Sequence, residues 1–269
     1  MENLIKTLYF DYKLISAFSF KDWLKITLSK YQCLFLVFLG KKDLNLDVIT
    51  NTIRVSSIGD IGTVFSSLSD EYHDLYKVIG EELSIIIDVG ANIGQFSNAV
   101  KTWYPKSEIH SFEPDPEVYQ ILKNNLKSSD YTLHNLALSD TKGSLKFYRS
   151  EGSLVSSIVK TSESQECIEV EAVTADSFLS DIHKIDLFKI DVEGAEINVL
   201  KGAHSTLKKS KYLLVEISFD RKVSEGSNLS VLSEVYSVCP NAEIIHLGRA
   251  LGGGGKITAQ DFLIKLNNT

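Results

Sequence analysis

Hydrophobic and polar positions along this chain change rhythm near residue 80. Before it, apolar residues recur at helical spacing, with dense aromatics (Tyr9, Phe10, Tyr12, Phe18, Phe20 and Trp23) set among lysines. From Leu83 onward, short β-branched runs alternate with amphipathic stretches. Such alternation predicts an α/β fold, a mostly parallel Rossmann-like sheet covered on both faces by helices. Residues 1–80 are therefore expected to form a helical N-terminal extension, and residues 81–269 the main domain.

The elements follow in order. Residues 85–89 read as the first strand, after which Ile93, Phe96, Val100 and Trp103 recur at helical spacing until Pro105. Residues 108–112 read as the second strand, and Asp115 with Pro116 forms an N-cap and first-turn pair for the next helix. A third strand is expected over 131–138. Alternating runs at 145–148 and 168–173 flank a serine-rich loop, and strands resume at 185–192 and 212–217. Residues 242–247 and 262–266 flank the glycines at 252–255 as an antiparallel terminal hairpin.

Composition narrows the function classes. The 269 residues, 43% hydrophobic, suffice for one large core. With 28 basic against 35 acidic residues the net charge is −7, the wrong sign for an extended phosphate-backbone footprint, so no nucleic-acid partner is expected. Cys33, Cys167 and Cys239 form no CxxC pair, which fits reduced thiols and a cytoplasmic setting. No signal-peptide pattern opens the chain. The longest apolar run, residues 33–39, falls short of the roughly 20 residues a spanning helix needs. It is expected as a buried helix or strand, with peripheral membrane contact as the lesser alternative and no transmembrane segment.

Ligands of open α/β sheets bind beyond the carboxyl ends of the strands. Asp88, Glu113, Asp191 and Glu216 are all expected there. In IIIDVGANIG, Gly90 and Gly94 let backbone approach a ligand, with Ala91 and Asn92 on the bend. Glu113, in FEPDP, lies 19 residues beyond Gly94, where an acid can accept hydrogen bonds from ribose hydroxyls. The middle glycine of a dinucleotide GxGxxG turn is missing, and Asp88 would repel phosphates. A nicotinamide-dependent oxidoreductase is thereby disfavoured. A ribose-bearing cofactor with a cationic or amino end fits better, and S-adenosylmethionine has both. Asp191, Glu193 and Glu196 could gather oxygen ligands for a divalent ion. Acids favoured by a helix N-terminus are the plainer explanation, and no metal is assigned. The glycine run lacks the Lys-Ser/Thr pair of a P-loop, since Ile257 follows Lys256, and His246 ends a late strand.

Taken together, DVGANIG, FEPDP, ALSD at 137–140, IDLFKIDVEGAEINVLKGA at 185–203 and LLVEIS at 213–218 resemble the FkbM family of S-adenosylmethionine-dependent methyltransferases. The similarity covers about residues 60–266. It implies a class I methyltransferase fold and methylation of a hydroxyl oxygen, often on a sugar or natural product, hence a small-molecule or glycan acceptor. Carried over by position, Asp88, Gly90, Ala91, Asn92 and Gly94 form the methionine-side turn. Glu113, followed by Pro114, clasps the ribose, while Asn135 and Ala137 lie against the adenine. Asp191 and Glu193 face the reacting methyl group as the catalytic pair, and SDEYHDLY brings Tyr72 toward the cofactor. A noncatalytic module retaining the cofactor pocket is the alternative. Acceptor identity and oligomeric state have no code in these motifs.

Overall fold

A computed structural model describes residues 18–42, 44–48, 52–55, 58–66, 72–149, 166–219, 229–253 and 256–267, with positions 12, 14 and 68. Tyr9, Phe10, the start of SDEYHDLY at 69–71 and the serine-rich loop at 150–165 lie outside the described residues. In chain order the elements are α1 (Phe20–Phe38), β1 (Leu44–Asp47), β2 (Thr52–Val55), α2 (Ile58–Ser66), α3 (His73–Ile79), β3 (Ile85–Val89), α4 (Gln95–Trp103), β4 (Glu108–Phe112), α5 (Pro116–Asn125) and β5 (Tyr131–His134). Then come β6 (Ala137–Leu138), β7 (Gly143–Arg149), β8 (Glu166–Val173), α6 (Ala175–Phe178), β9 (Ile185–Ile190), α7 (Glu196–Lys201), α8 (His204–Lys208), β10 (Ser210–Ser218), α9 (Ser230–Val238), β11 (Glu243–Gly253) and β12 (Lys256–Lys265).

Seven strands form one sheet in the order β5-β4-β3-β9-β10-β12-β11. All neighbours are parallel except the pairs made by β12, which runs antiparallel to both β10 and β11. This is the class I methyltransferase arrangement, with the chain reversing outward from β3. β9, buried at every position, sits at its centre. Its alternate side chains divide the core. Leu187 joins Ile86, Leu214 and Leu263 on the face that packs Phe96, Val100, Leu122 and the N-terminal region. Phe188 and Ile190 join Ile87, Leu213 and Val215 on the face that packs α6 to α9.

Local chemistry explains the register. Asp186 turns its buried carboxylate toward β3, where Oδ2 accepts from the backbone N–H of Ser84 at 2.7 Å and Ile85 at 3.1 Å. Asp115 caps α5 as its sequence implies, accepting from Glu117 and Val118 N–H. Arg149 of β7 then grips both carboxylate oxygens of Asp115 at 2.7 Å, tying a second, three-stranded sheet (β6-β8-β7) to the main one.

Four expectations change. The extension is not wholly helical, because β1 and β2 pair as an antiparallel ribbon whose Leu46, Ile53 and Val55 enter the same core as the main sheet. The strand expected over 131–138 breaks at Asn135, whose side-chain amide donates to the carbonyls of Glu113 and Pro114, and β6 pairs with β8 instead. Residues 33–39 end α1, yet Phe35 and Phe38 are 62% and 82% exposed, so this apolar run is not buried as a unit. The terminal hairpin is longer than expected, pairing Glu243 with Lys265 and Gly253 with Lys256. Among the described residues no helix is long and apolar enough to cross a membrane.

Candidate functional site

The parallel strands β3, β4, β5 and β9 end at one edge of the sheet, and the turns leaving them meet there. Gly90 begins the turn after β3 with φ +78°. A Cβ at this position would lie 1.9 Å from the Asp191 carbonyl oxygen, so only glycine lets the turns after β3 and β9 touch. Asn92 adopts φ +52° and Gly94 φ +93°, and the chain then enters α4.

Every amide N–H of this turn is committed within the protein. Gly90 and Ala91 donate to the Phe112 carbonyl at 3.1 and 2.9 Å, and Gly94 donates to that of Ala91 at 2.9 Å. Asn92 donates to Glu113 Oε2 at 2.9 Å, and Ile93 to Asn92 Oδ1 at 2.7 Å. A phosphate cradle needs N–H groups turned toward the ligand. This turn offers none, and its rim is carboxylate.

Glu113 supplies that rim from the end of β4. It is 6% exposed, and each oxygen accepts one backbone N–H, Oε1 from Asp115 and Oε2 from Asn92, both at 2.9 Å. Burial pushes its pKa up to about 7, against the opposing pull of those two N–H groups. A carboxylate oxygen has further lone pairs, so both oxygens retain capacity to accept from hydroxyls. Asn135 fixes the same corner through the Glu113 and Pro114 carbonyls, and Ala137 begins the short β6 beside it.

Beneath the turn lies a charge cluster that the sequence motifs did not reveal. Asp88 is fully buried, and its Oδ2 accepts from Ser97 Oγ at 2.7 Å, itself 2.8 Å from Ser111 Oγ. Lys189 Nζ lies 3.1 Å from Asp88 Oδ1 as an ion pair and donates to the Gly90 carbonyl at 3.0 Å. The same ammonium is 3.6 Å from Asp191 Oδ2. Asp88 therefore stands behind the turn and braces it. The only sequence signal for Lys189 was a lysine near the end of a mostly apolar strand, IDLFKI, whose other charged residue is Asp186.

Asp191 leaves β9 with its side chain about one-third exposed. Glu193 follows at φ +58° and Gly194 at φ +103°, a sharp turn that ends in α7. Glu196 does not join them as a neighbouring ligand. Its Oε1 turns back to accept from Gly194 and Val192 N–H at 3.0 and 3.3 Å, and burial raises its pKa to about 7. Among the described residues, no group of three or more His, Cys, Asp or Glu side chains is arranged to hold a metal.

Tyr72 is 5% exposed just before α3, its ring set edge-on to Phe96 of α4 at 4.8 Å. The structure thus brings residues 88–94, Glu113, Pro114, Asn135 and Asp191 together around one strand-end region, while Tyr72 is placed in the core against Phe96. Glu216 stands apart, half-buried within β10 opposite Asp261 of β12. His246 lies inside β11 rather than at its end.

A family model described as the methyltransferase FkbM domain matches residues 88–238, more than half of the chain. The chain belongs to the FkbM methyltransferase family. Its relatives include the 2-O-methyltransferase NoeI of Sinorhizobium fredii, 30% identical over 180 residues, 60% of this chain and 73% of that one. The hexuronic acid methyltransferase AglP of Haloferax volcanii is 28% identical over 141 residues, covering 51% and 57%. Methyltransferase sdnD of Sordaria araneosa is 34% identical over 154 residues, covering 44% and 59%. The chain spans less than two-thirds of the last two. Among solved structures, the fibrillarin pre-rRNA processing protein of Methanococcus jannaschii aligns with TM-score 0.46 at 13% identity, covering 86% of each chain. As an FkbM protein this chain is a methyltransferase enzyme, and its matched segment begins at Asp88.

Proposed function

We propose that this protein is an S-adenosylmethionine-dependent O-methyltransferase acting on a hydroxyl of a sugar, glycan or related natural product. One observation supports the donor above others. The turn after β3 has its own N–H groups committed inside the protein, while carboxylates line its edge. A site poor in donors and rich in acceptors suits a ligand that donates hydrogen bonds and carries positive charge. Asp88, Asp191 and Glu113 against the ammonium of Lys189 add to that preference.

S-adenosylmethionine, when bound, supplies a methyl group made electrophilic by its sulfonium. The residues present fit it. Glu113 would accept from the ribose hydroxyls, the turn at 90–94 would hold the methionine side, Asn135 and Ala137 would border the adenine, and Tyr72 would close from the extension. Asp191 and Glu193 form the acceptor-facing pair, in which Asp191 takes the proton of the attacking hydroxyl at a carboxylate oxygen. Holding that hydroxyl in line is the larger contribution, since orientation alone is worth on the order of 7 to 11 kcal/mol. Residues 81–269 are the part assigned this machinery, and the described residues of 1–80 pack against it. The sugar acceptor rests on the names of NoeI and AglP.

Calorimetry with S-adenosylmethionine and NAD tests the donor, and only the former is expected to bind. Tight NAD binding without S-adenosylmethionine binding would overturn the assignment. Mass spectrometry of glycans and metabolites from cells with and without the gene should reveal species differing by one CH2 unit. Asp191→Asn should lower turnover by more than it lowers donor affinity, and full turnover would remove the base role.

A further inference from the structure

Helix α1 is oriented against its own hydrophobicity. Phe20, Leu24, Leu28, Tyr31, Phe35 and Phe38 recur at spacings of three and four, the signature of one continuous helical stripe. That stripe faces outward, with Phe20 73%, Leu28 62% and Phe38 82% exposed. The inward side buries Ile26, Cys33 and a lysine, Lys30, whose Nζ lies 4.6 Å from the Phe65 ring centre. Phe20, Leu28, Phe35 and Phe38 are thus mostly exposed and Leu24 and Tyr31 partly so, against the usual drive to bury such side chains.

We propose that α1 lies in the plane of an anionic lipid bilayer and recruits the enzyme to it. Charge complementarity favours lipid over another occupant. Lys21 and Lys25 are exposed along one flank of the stripe, and Lys41 and Lys42 are exposed just past its end. This concentrates positive charge on a protein whose net charge is −7. Anionic headgroups would meet those lysines while the rings enter the acyl boundary, the arrangement of interfacial amphipathic helices. Two copies joined antiparallel through the stripe would instead bring their lysines together. At 19 residues α1 extends about 28 Å, long enough for a substantial in-plane contact.

Flotation of the full chain with phosphatidylcholine vesicles, with and without about one-third phosphatidylglycerol, tests the proposal. Binding to the anionic vesicles should be stronger by about tenfold or more and should weaken as salt is added. Leu28→Glu with Phe35→Glu, both at exposed positions, should abolish binding. Lys21→Glu with Lys25→Glu should remove the preference for anionic lipid. Circular dichroism and donor calorimetry would show that the variants remain folded. Three results would each overturn the proposal: no flotation of the wild-type chain, flotation surviving Leu28→Glu with Phe35→Glu, or light scattering showing a lipid-free dimer that this pair of changes dissociates.

Discussion

The turns that leave β3 and β9 lie side by side, and each is held by a buried glutamate that accepts from its backbone, one N–H in the first and two in the second. In the β9 turn the glutamate is local, since Glu196 of α7 reaches back to Val192 and Gly194. In the β3 turn it comes from another strand, since Glu113 follows β4 and joins Asn92 to Asp115. Burial raises both carboxyls to about 7. The difference lies in reach. Glu196 closes one loop with one oxygen, whereas Glu113 ties two loops with two oxygens at the edge proposed for the ribose. One glutamate shapes a turn, and the other shapes a turn while remaining available to a ligand.

The largest break in this comparison comes where the two turns touch. Gly90→Ala would place a Cβ 1.9 Å from the Asp191 carbonyl oxygen at a positive φ, and neither backbone segment can yield cheaply. We expect a loss of more than about 4 kcal/mol in urea unfolding, together with loss of donor binding. A stable Gly90→Ala protein that binds donor normally would show that the two turns are not mechanically joined.

The next effect comes from the cluster beneath them. Lys189→Met leaves Asp88 buried without its counter-ion and should cost about 3–5 kcal/mol. Adding Asp88→Asn should recover part of that loss, because the uncompensated charge is then gone. A double-mutant cycle measures the coupling. Additive losses would mean that the 3.1 Å pair contributes little, and that the serines alone hold Asp88.

How much of this was legible in the sequence depends on the range of the interactions. Local signals were clear: the Asp115 cap, the β-branched strands and the glycines that permit positive φ. Pairing between distant strands was not. Lys189 reads as an anomaly in a buried strand until β9 is known to lie beside β3, which sets it opposite Asp88. The break at Asn135 was hidden because 131–138 has one strand-like composition, while β5 and β6 pair with different sheets. Glu196 looked like a companion of Asp191 because spacing in sequence does not tell which way a carboxylate turns. In α1 the periodicity marked a helix and left open which face would be buried.

A smaller effect separates the two glutamates by function. Glu113→Gln keeps one acceptor oxygen but loses the charge that strengthens hydrogen bonds from ribose hydroxyls. Donor affinity should fall by about tenfold to a hundredfold. Glu196→Gln should change it by less than about threefold, since that side chain faces its own loop. Calorimetry on both variants decides the matter, and equal losses would mean that Glu113 has no ligand role beyond turn closure.

A pH dependence sharpens the same distinction. Both carboxyls rise from an ordinary 4.5 to about 7 on folding. Between those values the folded state holds more protons than the unfolded one, so stability falls as pH rises. The favourable term is fully present below the unfolded value and lost as pH passes through about 7, about 3 kcal/mol for each group over the whole shift. In ligand-free protein, either glutamate-to-glutamine change should flatten part of this slope between about pH 5 and 7. Saturation with S-adenosylhomocysteine, which retains the ribose, should separate them. Ribose hydroxyls donating to the ionised Glu113 lower its folded pKa and remove its share of the slope. Glu196, facing its own backbone, keeps its share. If the bound ligand leaves the slope of Glu113 intact, or erases that of Glu196 as well, the division between a ligand-facing and a loop-closing glutamate fails.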